Sequence, residues 1–391
     1  MAKWLDNAIF YEIYPQSFLD TNGDGIGDFQ GIIEKLDYIK ELGCNAIWMN
    51  PCFASPFGDA GYDVADYYQA APRYGTNADL KRLFNEVHKR NMHILLDLVP
   101  GHTSVAHPWF KESCKADRNE FTDRYIWTDS TWGQLENMGS LCGISEREGS
   151  VIVNFFAHQP ALNYGFYKKT QDWQQDPDDP GPKATLAEME NVMRFWIGMG
   201  CDGFRVDMAG SLVKNDEDGK GNIALWRKVR AFLDAEFPEA VLVSEWGEPD
   251  KSLQGGFHMD FLLHFGPSHY NDLFRCEEPF FSGRGKGDVA AFVEKYKENY
   301  EKAADKLCAY AAKNKVPLEI NMLGMREHRH YPNFEFFKIA ARHNCDIILG
   351  CDAHEPKDVC DLESAKTALE WCRELGLNRI EYPELKKPCR K

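Results

Sequence analysis

Three acidic residues close apolar runs in this chain. Asp97 follows His93-Ile94-Leu95-Leu96, Asp207 follows Gly203-Phe204-Arg205-Val206, and Glu245 follows Val241-Leu242-Val243-Ser244. In a parallel barrel such strand ends form the active site. Two carboxylates held close there can cleave an acetal with retention. One attacks the anomeric carbon, and the other protonates the leaving oxygen and later activates water. Arg205 lies two residues before Asp207, on the same strand face, where pairing keeps a carboxylate ionised. Acids at strand ends also serve as caps for the following helix. Three of them with an inward arginine favour chemistry.

A second cluster of oxygen-bearing side chains lies near the start, in Asp20-Thr21-Asn22-Gly23-Asp24-Gly25-Ile26-Gly27-Asp28. Oxygens at alternate positions, with glycines between, suit a Ca²⁺ ion as in the first half of an EF-hand loop. The ligands read from this spacing are Asp20, Asn22, Asp24, Asp28 and the Ile26 carbonyl. No glutamate stands at the twelfth position, so a true EF-hand is excluded. The ion would be structural. The alternative is an Asx-rich turn without an ion.

The elements that must position these groups alternate in type. Strands are predicted at Ala8–Tyr14, Asn45–Met49, His93–Val99, Gly203–Asp207 and Val241–Glu245, with a sixth near His258–Leu263. Helices are predicted at Gln30–Leu42 and at Asn77–Arg90, the latter with Asn77 as N-cap. Buried strands separated by helices mean a parallel sheet covered on both faces, and this repetition predicts a (βα)8 TIM barrel. Pro108–Gln175 breaks the rhythm and predicts a small excursion subdomain after the third strand. Gln171–Lys183, rich in Asp and Pro, reads as an exposed linker.

The chain's 391 residues are 43% hydrophobic and 27% charged, a soluble globular balance. Acidic residues outnumber basic ones 61 to 45, giving a net charge of −16. That sign argues against nucleic acid or an anionic membrane as partner. No apolar run is long enough to span a bilayer, and Met1–Phe10 lacks a signal peptide's apolar block, which predicts a cytoplasmic protein. The 12 cysteines have no metal-binding or disulfide spacing and are predicted to be reduced. Cys308, Cys345, Cys351, Cys360, Cys372 and Cys389 crowd the C-terminal part.

The ordered motifs resemble those of the α-amylase family of glycoside hydrolases, family 13, over about residues 1–305. Gly203–Asp207 looks like its nucleophile motif and Val243-Ser244-Glu245 like its acid/base motif. Asp97-Leu98-Val99-Pro100-Gly101-His102 resembles the third-strand motif, with Gly101 where Asn is usual. Asp59 with Gly61-Tyr62-Asp63 resembles the segment after the second strand. Gln159–Asn163 resembles the motif late in the excursion, with Ala161 where Asp is common. The loop at Asp20–Asp28 resembles the calcium loop of many relatives. The resemblance implies a retaining hydrolase of α-glucosides or malto-oligosaccharides, with Asp207 as nucleophile and Glu245 as acid/base. It implies that Arg205 orients Asp207, that His102 and Asp59 bind sugar hydroxyls, and that Tyr62 stacks on the sugar ring.

The pattern then breaks. No Asn-His-Asp motif follows Glu245, so the family's third catalytic Asp is missing and impaired turnover is expected unless Asp352 or Glu319 takes its place. From about residue 306, Pro317–Asn321, His330–Asn333 and Ile348–His354 resemble the C-terminal part of PHP-type phosphoesterases, in which Asp352 and His354 would be metal ligands. The upstream His-x-His of that family is absent. Together these resemblances predict a hybrid barrel. Residues 1–102 would supply three βα units, 103–185 the excursion, 186–305 the middle units and 306–391 the last two. The competing functions are a metal-dependent phosphoesterase and a catalytically inactive sugar-binding barrel.

Overall fold

The structure, a computed structural model, describes residues 2–132, 135, 138–261, 289–327, 331–353 and 359–381, without the side chains of 289–296, 298 and 299. It divides into two units, residues 1–263 and 264–391.

In chain order the first unit contains β1 (Phe10–Ile13), α1 (Phe29–Glu41), β2 (Ala46–Met49), β3 (Phe53–Ala54), β4 (Asp66–Ala70), α2 (Asn77–Lys89), β5 (His93–Leu98) and α3 (Pro108–Ser113). It continues with β6 (Gly139–Cys142), β7 (Ser150–Val153), α4 (Pro180–Met199), β8 (Gly203–Val206), α5 (Lys220–Glu236), β9 (Val241–Ser244), α6 (Pro249–Gly255) and β10 (Met259–Asp260). Six of these strands form one parallel sheet in the order β1-β2-β5-β8-β9-β10. The register sets Asp97 beside Arg205 and Arg205 beside Val243, so the chemistry-bearing ends line up.

Local sequence explains the helices around that sheet. Asp28 caps α1 by accepting the Gly31 N–H, and Ile32, Leu36 and Ile39 form a stripe with no exposure. The N-cap of α2 is Thr76 rather than the predicted Asn77. The Thr76 hydroxyl accepts the Asp79 N–H while Asp79 accepts the Thr76 N–H, a reciprocal capping box that Asn cannot complete from the next position. Asn77 instead accepts from Ala70 N and donates to Tyr68 O. Helix α4 ends on Gly200 at φ 120°, in the left-handed region. Gly203 opens β8 at φ 140°, and a Cβ there would run into the Val241 carbonyl of β9. Only glycine lets these two strands, which lead to Asp207 and Glu245, approach so closely.

The excursion is structured. Its hairpin pairs β6 with β7 antiparallel, Gly139 opposite Val153 and Cys142 opposite Ser150. Ile126, Ile152, Ala161 and Phe166 form a small core of its own against Trp173. The predicted linker is shorter than expected, because Pro180 already begins α4.

The second unit holds α7 (Val289–Asn314), β11 (Leu318–Asn321), α8 (Met322–Arg326), α9 (Phe334–Arg342), β12 (Asp346–Gly350), α10 (Leu362–Leu375) and β13 (Asn378–Arg379). Its strands form a parallel sheet in the order β11-β12-β13. Its core includes Cys308, Ile320, Ala340, Ile347 and Ala368. The motif at Pro317–Asn321 forms β11, and β12 runs into the motif at Ile348–His354. Among the described residues, the parallel strands form a sheet of six in the first unit and a sheet of three in the second. The sixth strand of the first sheet, β10, is only two residues long.

Ten cysteines fall within the described residues, all of them free thiols. No helix among the described residues is long and apolar enough to cross a membrane.

Candidate active site

Arg205 organises the site. It projects from β8, is 4% exposed, and reaches three carboxylates from three adjacent strands. Its Nη1 lies 2.8 Å from Asp97 Oδ1 and 3.2 Å from Asp207 Oδ1, and its Nη2 lies 2.7 Å from Glu245 Oε2. The sequence pairs Arg205 with one carboxylate; the structure gives it three. Its guanidinium also sits over the Trp48 ring, 5.1 Å from the centroid.

Each carboxylate has further partners. Asp97 is 1% exposed and accepts from Trp48 Nε1 at 3.2 Å and the Tyr62 hydroxyl at 3.3 Å. Glu245 accepts the Met208 N–H at 3.2 Å, an approach made possible by Met208 at φ 45°. Asp260, ending β10, steadies the segment after Glu245. Its Oδ1 accepts from Ser244 Oγ at 2.8 Å, Trp246 N at 3.0 Å and Gly247 N at 3.3 Å.

The electrostatics follow from this crowding. Burial raises the Asp97 carboxyl to about 6, against the pull of Arg205. Burial lifts Asp207 well above the usual carboxylate range as well, with the charges of Asp97 and Glu245 and a hydrogen bond to Glu245 adding to the rise. Burial alone would lower the Arg205 pKa, but the surrounding anions hold it above the usual value. One guanidinium faces three acids, so the carboxyls of Asp97 and Asp207 hold a proton more readily than exposed ones do.

A cleft of about 280 Å³ opens over this group. It is lined by Arg205, Asp207, Met208 and Glu245 on one side and by Asp59, Tyr62, His102 and Phe155 on the other. Every residue predicted for catalysis or sugar contact therefore borders one cavity. Asp63 holds the loop that carries Asp59 and Tyr62, accepting from Ser55 Oγ, Gly58 N and Asp59 N at 2.9–3.0 Å. Asp59 itself accepts from Gln159 Nε2 at 2.7 Å, a partner from the excursion. His102 is almost fully buried, and burial drops its pKa to about 4.

Some members of the site were not singled out from sequence. Trp48 sits in a strand and looks like core. Met208 and Phe155 have no spacing signal, and Gln159 was visible only within a motif. Asn154 reaches the site from just after β7.

The Asp20–Asp28 loop folds as a chain of turns. Asp20 accepts from the N–H groups of Asn22, Gly23 and Gly25, Asn22 from Asp24, and Asp24 from Ile26, at 2.7–3.1 Å. These bonds hold the Asp20 carboxylate below its usual range. The donor set is hard oxygen, the type a Ca²⁺ ion takes, but among the described residues no three acidic, histidine or cysteine side chains are gathered closely enough to hold a metal by themselves. Asp28 differs: it is committed to Thr21 and to the first turn of α1. In the second unit, Asp352 follows β12 at φ 43°, and Asn321 Nδ2 bridges it to Glu319, at 3.1 and 2.9 Å. His354 lies outside the described residues.

Comparison with known proteins places this geometry. The model of the alpha-amylase catalytic domain matches residues 12–307. An oligo-1,6-glucosidase of Bacillus sp. (strain F5) is 40% identical over 218 residues, covering 55% of this chain and 40% of that protein. The trehalose synthase/amylase TreS of Mycobacterium tuberculosis (strain CDC 1551 / Oshkosh) is 35% identical over 285 residues, covering 67% and 44%. The chain thus spans less than half the length of these relatives. Among solved structures, the alpha-glucosyl transfer enzyme XgtA is similar with a TM-score of 0.57 and 30% identity, over 70% of this chain and 56% of that one. The trehalulose synthase MutB of Pseudomonas mesoacidophila MX-45 is similar with a TM-score of 0.59 and 28% identity, over 76% and 55%. These neighbours carry the (βα)8 barrel expectation for the six-stranded parallel sheet. With a family match spanning most of its length and the strand-end carboxylates brought together, this chain belongs to the alpha-amylase family.

Proposed function

We propose that the chain acts on small α-linked glucosides and malto-oligosaccharides by a retaining double displacement. The observation that carries this reading is Arg205 holding Asp97, Asp207 and Glu245 together beneath one cleft. Asp207 attacks the anomeric carbon while Glu245 gives its proton to the leaving oxygen. The resulting glycosyl ester on Asp207 is then released as Glu245 takes a proton from water or from a second sugar. Hydrolysis follows in the first case and transfer in the second. The names of the relatives, glucosidases and synthases alike, fit one such intermediate. Asp59 and His102 bind sugar hydroxyls, and Tyr62 forms the platform under the ring. Without the Asn-His-Asp motif, turnover is slow, by about 10²–10³-fold for one lost electrostatic contact.

The loop at Asp20–Asp28 holds a structural Ca²⁺ through Asp20, Asn22, Asp24 and the Ile26 carbonyl, with Asp28 anchoring the loop to α1. The ion supplies stability, with no part in the chemistry.

The test is hydrolysis of an aryl α-glucoside by the chain and by Asp207→Asn. Release abolished by the substitution supports the reading, and release that survives it refutes the assignment. Maltose binding without hydrolysis would make the protein a sugar-binding barrel. EDTA-sensitive phosphate release from an aryl phosphate would favour the phosphoesterase instead.

A further inference from the structure

Gly101 and Asn154 meet behind His102. A Cβ on Gly101 would come 3.1 Å from Asn154 Nδ2, so the Asn154 amide occupies the space that a side chain at 101 would take. Asn154 comes from the excursion hairpin, far from Gly101 in sequence.

The partners of that amide fix which way it faces. Lys214 Nζ has only donors, and it lies 3.1 Å from one amide atom, which must be the oxygen. Gly101 O only accepts, and it lies 2.8 Å from the other, which must be the nitrogen. The same Nδ2 lies 3.2 Å from His102 Nδ1. A ring nitrogen facing an N–H must present its lone pair. His102 is then neutral with its proton on Nε2, which lies 3.2 Å from Tyr62 O, an acceptor. Lys214 is anchored in turn, donating to Ser211 O at 2.8 Å in the turn that follows Asp207.

We propose that Lys214 and Asn154 form a positioning relay that locks His102 as the neutral Nε2–H tautomer, whose one N–H then holds the Tyr62 carbonyl and with it the loop that carries Asp59 and Tyr62 into the cleft. The relay ties the nucleophile's turn to the excursion hairpin through one amide. Its kinetic consequence rests on the glycosidase reading; the tautomer does not.

The experiment is ¹⁵N NMR of histidine-labelled protein, with the His102 signals identified by their loss in His102→Gln. The wild type should show the Nε2–H pattern. Asn154→Asp replaces the donor by an acceptor and should convert His102 to the Nδ1–H form or to imidazolium. Lys214→Met removes one of the two groups that orient the amide, Gly101 O keeping the other, and should raise the share of the Nδ1–H form without making it the main one. Gly101→Ala, which crowds Nδ2, should shift the His102 signals in the same direction. On an aryl α-glucoside, Asn154→Asp and Lys214→Met should each lower kcat/KM about tenfold, the loss of one hydrogen bond. An Nδ1–H wild type, or a tautomer unchanged in every variant that folds, overturns the relay. A correct tautomer pattern in a protein without glycosidase activity sustains the relay and removes only the catalytic reading.

Discussion

Arg205 Nη2 lies 2.7 Å from Glu245 Oε2, closer than Nη1 lies to Asp207. The proposed acid is therefore held by the same cation as the proposed nucleophile. For Glu245 to act as the acid, substrate must loosen this contact.

That contact makes Arg205 more than an orienting group. Arg205→Met should leave three buried carboxylates without a cation and force further protonation among them. Activity on an aryl α-glucoside should fall about 10²–10³-fold. Arg205→Lys, keeping charge but not the fork, should recover only part of it. Full activity in Arg205→Met would show that the three contacts have no catalytic weight.

The two proposed catalytic acids should fail differently. Asp207→Asn should reduce turnover of every α-glucoside by about 10⁴-fold or more, because no covalent intermediate can form. Glu245→Gln should cost about 10²–10⁴-fold on substrates with a poor leaving group, but far less on a dinitrophenyl glucoside, whose leaving group needs no proton. Equal losses on both substrates in Glu245→Gln would remove the acid assignment.

Stability should fall on mild acidification. Burial depresses His107 to about 3, and both His102 and His258 to about 4. In the unfolded chain these rings take up protons below about 6.5, while the folded state resists until pH 3–4. The unfolded state binds more protons in this window, so stability is complete above 6.5 and is lost as pH falls toward 4. Asp97, raised to about 6, and Asp207, raised further, work in the opposite direction, so the histidine contribution is read from the difference between variant and wild type. Urea midpoints at pH 7 and pH 5 should differ less in His107→Phe than in the wild type; an equal difference would exclude His107 from the effect.

Removing close approach should be costly. Gly203→Ala places a methyl group against the Val241 carbonyl and should destabilise the fold by about 3 kcal/mol, read by urea denaturation. Gly143→Ala, at φ 70° with open space around it, shows the cost of a positive φ without a clash.

Calcium should raise the melting temperature by several degrees, the effect of about 1–2 kcal/mol in a chain of this size. Asp24→Ala should abolish the increment while leaving α1 capped by Asp28. An unchanged melting curve with and without calcium would leave the loop as a set of turns.

The chemistry at the strand ends was legible because it obeys a local rule. Asp97, Asp207 and Glu245 each end an apolar run, and a parallel sheet delivers such ends to one edge. Arg205 was legible from its two-residue offset. What the sequence hid depends on long loops. Asn154 meets Gly101, and Lys214 meets Asn154, only because the excursion folds back. No periodicity encodes that return. Trp48 was hidden by type, since an aromatic in a buried strand looks like packing until its Nε1 is found on Asp97. The cap of α2 fell one residue from its predicted place, because Thr76 with Asp79 closes a reciprocal pair and Asn77 does not. The parallel sheet was legible as well, because buried strands alternating with helices leave no other way to pair, and six of the predicted strands take their places in it in chain order.

The surplus of acid around Arg205 has one more consequence. With three carboxylates and one guanidinium, the floor of the cleft is a counter-ion looking for a second cation. A neutral sugar supplies none at rest but acquires positive charge at its anomeric centre as the bond breaks. A sugar-shaped amine would bring that charge permanently and bind far more tightly than the glucoside it imitates.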